Sequence, residues 1–188
     1  MDGPVIHDRH REGPTMTIAR RLAAVLSADA KGYSRLMGED ELGTVQTLTG
    51  HREAIKEIVQ RFNGRVVDAP GDNLLAEFAS VVDAVACALE IQRNLGERNA
   101  RLSDDRRLDF RIGVNLGDII ADGERIYGNT VNIAARIEAL ADAGGVCVSG
   151  TVYEQIATKL SIVWESLGEQ VVKNIPRPIR VLRARLDT

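Results

Sequence analysis

The chain has 188 residues, 44% of them hydrophobic, 27% charged and 4% aromatic, which suits one domain of ordinary size with a core large enough to need no staples. Its 17 glycines and 5 prolines are too few for a fibrous or low-complexity protein. With 24 basic and 27 acidic residues the formal net charge is −3, which argues against nucleic-acid binding through a broad basic surface.

Residues 1–18 are polar, contain Pro4 and Pro14 and show no periodicity, so a mobile tail is expected, with the domain spanning 19–188. The tail holds His7 and His10, without a third ligand beside them. Met1-Asp2-Gly3-Pro4 lacks the basic-then-apolar pattern of a signal peptide. No apolar run reaches the ~20 residues of a membrane span. Cys87 and Cys147 sit in apolar stretches and read as buried free thiols, which fits a reducing cytoplasm.

Leu22 to Leu26 is a short apolar run that reads as a buried strand, with Asp29 at its exit. Lys31-Gly32 breaks the chain. Apolar residues from Leu42 to Phe62 fall at helical spacing, which predicts a helix over 39–62; His51 lies in it without an obvious partner. Arg65–Ala69 and Leu74–Phe78 flank the turn Pro70-Gly71-Asp72-Asn73 and predict a hairpin. Ser80 caps a predicted helix to about Asn99. Leu108, Phe110, Ile112, Val114 and Leu116 alternate along a strand that extends to about Ile120. A helix is predicted over Gly128–Leu140, a strand at Val146–Val148, and a helix capped by Ser149 through Lys159. Strands follow near Ile162–Trp164 and Ile179–Leu182. The order β-α-β-β-α-β, with further strands and helices after it, predicts an α+β ferredoxin-like fold: a mostly antiparallel sheet with helices on one face.

Two local constellations carry chemistry. Asp29 ends a strand and Asp72 sits in a hairpin turn, and in this strand order the two ends can be neighbours. Paired carboxylates there suit Mg²⁺, which prefers oxygen ligands, although Asp72 also suits the turn and Asp29 a loop cap. Asn132 and Arg136 are four apart on an otherwise small, apolar helix and share a face. They reach a cleft, or Arg136 pairs with Glu138 or another acid.

Four segments, in order, resemble the class III adenylyl/guanylyl cyclase catalytic domain. They are Leu-Ser-Ala-Asp29-Ala-Lys-Gly-Tyr-Ser, Pro-Gly71-Asp72-Asn-Leu-Leu-Ala-Glu-Phe, Phe110-Arg-Ile-Gly-Val-Asn-Leu-Gly-Asp118 and Ile126-Tyr-Gly-Asn-Thr-Val-Asn132-Ile-Ala-Ala-Arg136. The resemblance covers roughly residues 20–185. It implies conversion of ATP to cyclic AMP and pyrophosphate in signal transduction, with two Mg²⁺ or Mn²⁺ ions held by Asp29 and Asp72. Asn132 would orient the ribose and Arg136 would stabilise charge on the phosphate. The loop Ala30, Lys31, Gly32 and Tyr33 would offer N–H groups to the phosphates, and Arg180, or next Lys173, would touch the terminal phosphates. The family's head-to-tail sites imply a homodimer, Asp29 and Asp72 of one chain facing Asn132 and Arg136 of the other.

At the family's base-reading positions stand Asp68 and Arg125, where adenylyl cyclases carry a lysine and an aspartate or threonine. Three readings stay open. Asp68 and Arg125 read guanine, with GTP as substrate; they pair with each other across the dimer and close the base pocket, leaving a weak or inactive regulatory module; or adenine is bound through backbone groups.

Overall fold

The computed structural model describes residues 18–186. Of the expected tail, residues 1–17, with His7 and His10, lie outside the described residues, and Ile18 already belongs to the first strand. In chain order the elements are β1 (Ile18–Ala30), α1 (Tyr33–Glu39), α2 (Glu41–Arg61), β2 (Arg65–Asp68), β3 (Asn73–Phe78), α3 (Val81–Asn99), β4 (Phe110–Asp122), β5 (Arg125–Tyr127), α4 (Asn129–Ala139), β6 (Val146–Ser149), α5 (Gly150–Ile156), β7 (Trp164–Gln170) and β8 (Ile179–Ala184).

The strands form one sheet in the order β2-β3-β1-β4-β6-β8-β7, with β5 paired to β4. Its first four strands reproduce the split β-α-β arrangement that the element order predicts. All pairs are antiparallel except β4 with β6. β1 and β4 run side by side from Ile18↔Asp122 to Ala30↔Phe110.

Local signals explain most boundaries. Ser80 and Ser149 accept hydrogen bonds from the Asp83 and Val152 N–H groups and cap α3 and α5. The helix expected over 39–62 is α2, and a further short helix, α1, stands between it and the Lys31-Gly32 break. Asp40 is extended; its N–H closes α1 on Leu36 and its carboxylate caps α2 at Gly43. β1 is far longer than its apolar run because Ile18–Leu22, mostly solvent-facing, are held by pairing with Asp118–Asp122. β5 has only three residues and carries no run of its own; the Gly123 turn (φ 59°) folds it back on β4.

Helices cover both faces of the sheet, not one. α2, α3 and α5 pack on the face made by Leu26, Ala28, Leu74, Phe78, Phe110, Ile112 and Val114. α4 lies on the opposite face, against Ala23, Val25 and Ile119. It can sit there because β4 turns glycines toward it. A Cβ on Gly113 would meet the Glu138 backbone N at 2.3 Å and the Ala134 O at 2.4 Å; one on Gly117 would meet the Thr130 hydroxyl at 2.6 Å. Thr130 Oγ1 donates to the Asp118 carbonyl at 2.7 Å and Asn115 Nδ2 to the Thr130 carbonyl at 3.2 Å, fixing the start of α4 on the strand.

Candidate functional site

Asp29, near the end of β1, pairs in register with Asn73 of β3 on one side and Arg111 of β4 on the other. The β2–β3 turn therefore brings Asp72 beside it, as the strand order predicts. Burial raises the Asp72 carboxyl above its ordinary range, and the charge of Asp29 pushes the same way. Arg111 Nη2 donates to Asp29 Oδ2 at 2.6 Å and lies 3.5 Å from Glu138 Oε1. Glu138 reaches this point from α4, buried and taking a hydrogen bond from Ser27 Oγ at 3.1 Å. Burial, then the charge of Asp29, pushes Glu138 up to about 7. Glu138 is thus engaged with Ser27 and Arg111, and Arg136 forms no ion pair with it or with any other acid among the described residues.

Asn132 and Arg136 are both exposed and project from the outer stripe of α4. With Asn129, Ala135, Lys173 and Asn174 they line a cleft of about 420 Å³. No hydrogen bond or ion pair among the described residues joins this pair to Asp29 or Asp72. Arg180 is not in the cleft: it shares a sheet face with Leu182, opposite α4, and its guanidinium lies 5.5 Å from the Tyr153 ring centroid. Lys173, the other basic candidate, takes that place.

Asp68 and Arg125 meet in one chain, on the walls of a cleft of about 360 Å³ that Val67, Pro70, Leu75 and Ile126 also line. They form no ion pair with each other; Asp68 Oδ1 accepts from the Ala69 N–H at 2.8 Å. Within one chain the cleft between them is open.

The loop after Asp29 is only partly available. Ala30 is the last residue of β1, buried and paired with Phe110, and the Lys31 N–H donates to the Asp109 carbonyl at 2.8 Å. Gly32 is left-handed (φ 75°) and leads into α1 at Tyr33. Lys31, Arg35 and Arg107 rim a cleft of about 470 Å³ over Gly32, together with Asp104 and Asp109.

Sequence reading missed three supporting residues. Arg111 and Glu138 stand behind Asp29. Arg52 of α2 donates to the Gly71 carbonyl at 2.7 Å and also to the Ala69 carbonyl, gripping the turn that carries Asp72. Arg111 had a legible signal: it stands on the strand face that the apolar alternation of β4 leaves to other residues, directly opposite Asp29. Arg52 had none, since its partners are backbone atoms 17 and 19 residues away.

The sequence pattern of the adenylate and guanylate cyclase catalytic domain matches residues 20–181. The chain belongs to this family, the class III nucleotide cyclase domains. A Rhizobium meliloti protein named "Putative adenylate cyclase 3" is 45% identical over 166 residues, which are 88% of this chain and 28% of that protein. The crystal structure of an adenylate/guanylate cyclase/hydrolase from Silicibacter pomeroyi superposes with TM-score 0.85 at 40% identity, covering 91% of this chain and all of that one. The adenylyl cyclase CyaB from P. aeruginosa shares the fold, with TM-score 0.78 at 20% identity over 92% of this chain and 98% of its own. The chain spans under a third of the length of the Rhizobium relative. Among the described residues no helix is long and apolar enough to cross a membrane.

Proposed function

We propose that this domain converts ATP to cyclic AMP and pyrophosphate, as a homodimer with two shared head-to-tail sites. The observation that carries the reading is a division. One chain brings Asp29 and Asp72 together, and sets Asn132 and Arg136 in a separate outward-facing cleft. A second copy would close each half on the other. The name of the 45%-identical relative supports adenine over guanine, and the buried free thiols Cys87 and Cys147 suit the cytoplasm.

The family works with divalent metal ions, and the acid pair fits them. Two carboxylates are hard oxygen donors, and the mutual repulsion that helps raise Asp72 is what a bound cation would relieve. Arg111 takes Oδ2 of Asp29 and leaves Oδ1 free to bind. Mg²⁺ or Mn²⁺ ions held by Asp29 and Asp72 would lower the pKa of the ribose 3′-hydroxyl and neutralise the triphosphate.

The remaining steps belong to side chains. Asn132 holds the ribose so that its 3′-oxygen faces the α-phosphorus. That oxygen loses its proton and bonds to phosphorus, and the bond to the pyrophosphate oxygen breaks. Arg136 donates to the phosphoryl oxygens as charge moves onto them, an interaction strongest in the transition state. Lys31, Arg35 and Arg107 attract the β- and γ-phosphates at one side of the site and Lys173 does so at the other. The base lies in the Asp68–Arg125 cleft, against Leu75 and Ile126. The Asp68 carboxylate favours guanine as the second reading, since a carboxylate accepts from guanine N1–H and its amino group.

Turnover of ATP and of GTP with Mn²⁺, in the natural chain and in Asp72→Ala, tests the reading. Cyclic AMP formation lost in the variant is the expected result. Equal product traces from both proteins would rule out the enzyme, and cyclic GMP as the main product would transfer the reading to GTP.

A further inference from the structure

A fourth cleft lies away from these, between α2 and the connection from α3 to β4. Its volume is about 350 Å³, at the lower end of small-molecule sites. None of the residues lining it lines any of the three clefts assigned above to phosphate, ribose and base. Three arginines converge on it: Arg98, Arg101 and Arg106.

Their bonding sets them apart from their neighbours. Arg93, one turn earlier on α3, is held by Glu90 and Glu97, and Arg107 by Asp104. Among the described residues Arg98, Arg101 and Arg106 form no ion pair with a carboxylate. Arg98 donates only to Asn94. Arg106 makes two long contacts, to the Gly43 carbonyl at 3.3 Å and Thr47 Oγ1 at 3.4 Å, and its Nε is buried without any partner. Of the nearby acids, Asp104 is paired with Arg107, and Asp105 bonds to Ser103 with Arg106 near enough to feel its charge. Three guanidinium groups without an ion-paired carboxylate around one concavity form a focused positive potential, and a buried guanidinium N–H without an acceptor is costly to leave unmet.

The rest of the cleft is a firm, partly apolar floor. Leu102 and the α2 backbone at Gly50 provide the apolar surface. His51 behind them is buried, with Nε2 3.0 Å from Asn99 Oδ1. Asn99 in turn donates to the Leu108 carbonyl at 3.1 Å and to Asp109 Oδ1 at 2.9 Å. A wall fixed in this way loses little freedom when a ligand arrives.

We propose that this cleft binds a small oxyanion, a phosphate or carboxylate group carried on a compact organic body, at a site separate from the nucleotide clefts. Arg98, Arg101 and Arg106 clasp the anion and Leu102 packs against the body that carries it.

The full chain, labelled with ¹⁵N, is titrated at constant ionic strength with inorganic phosphate and, separately, with citrate. Saturable shifts of the Gly50, His51 and Leu102 amides are expected with at least one of the two, and the one that saturates identifies the anion class. The double variant Arg98→Gln/Arg101→Gln changes two exposed side chains and so retains the fold, which its own amide spectrum checks. It should weaken binding at least about tenfold, as loss of charge-assisted hydrogen bonds implies. Arg136→Ala should leave the same shifts unchanged. Non-saturating shifts with both probes, equal affinity in the double variant, or shifts confined to the surroundings of Gly32 and Asn132 would overturn the proposal.

Discussion

The two faces of the β1–β4 pair follow opposite rules. On the face covered by α2, α3 and α5, every second residue is apolar and buried: Ala24, Leu26 and Ala28 of β1 against Ile112 and Val114 of β4. On the α4 face the same strands present Ser27, Asp29, Arg111, Gly113, Asn115 and Gly117. The first face stabilises through burial. The second is also buried, with Ala23, Val25 and Ile119 under α4, but gives part of its area to close backbone approach and to charges in fixed positions. A sheet whose faces diverge in this way shows where its chemistry sits: on the face where the alternation places charged residues and glycines.

Substitutions on the two faces should separate activity from stability. The largest effect is expected for Asp72→Asn, which removes one carboxylate of the acid pair. Turnover should fall at least about 10³-fold, the scale of several kcal/mol of lost metal-assisted charge stabilisation. The melting temperature should not fall, since like-charge repulsion with Asp29 is relieved. Arg136→Ala comes next. It should lower kcat by roughly 10²–10³-fold, about 2.7–4 kcal/mol, with KM nearly unchanged. A KM effect alone would mean that Arg136 binds substrate and transition state equally.

Gly113→Val tests the α4 face as a packing surface. Its side chain must displace helix backbone, so about 1–3 kcal/mol of stability should be lost in urea unfolding. Unchanged stability would show that α4 does not need its close approach to β4. Arg52→Met keeps the aliphatic stem but releases the Ala69 and Gly71 carbonyls. About a tenfold fall in kcat is expected, with more Mn²⁺ needed for half-maximal turnover and little change in unfolding, because Arg52 positions the Asp72 turn without touching substrate.

The smallest effect belongs to the purely structural side. Burial lowers the His51 pKa below its ordinary value of 6.5, so the folded state resists protonation. The unfolded chain then binds more protons near pH 6, and the contribution of His51 is full above 6.5 and lost as pH falls. The urea midpoint of the natural chain should therefore drop more between pH 7.5 and 5.5 than that of His51→Gln. Parallel slopes would remove His51 as the cause.

Much of this division was legible in the sequence. The run of Phe110, Ile112, Val114 and Leu116 marked one face, and Asp29 and Asp72 were predicted at adjacent strand ends. Asn132 and Arg136 were placed together on a helical face. What could not be read was long-range. That α4 crosses to the other side of the sheet depends on Gly113 and Gly117 meeting helix backbone, and a glycine in a strand does not announce which partner approaches it. Nor could it be read that Arg180 stands on the sheet face away from α4. It lies one residue from Val181, and in a strand that step exchanges one face of the sheet for the other. α1 is not legible because its seven residues bury only Leu36, too few apolar positions to show a helical period.

The central claim is that one chain supplies the acids and its partner supplies Asn132 and Arg136. Mixing two inactive variants tests it directly. Asp72→Asn and Arg136→Ala are each assayed for ATP turnover with Mn²⁺, then combined in equal amounts and allowed to exchange subunits. With random pairing about half of the dimers are mixed and each holds one intact site of two, so about a quarter of natural activity should return. A mixture no more active than its components, while the natural chain turns over, would place all four residues in a site built by one chain and contradict the account.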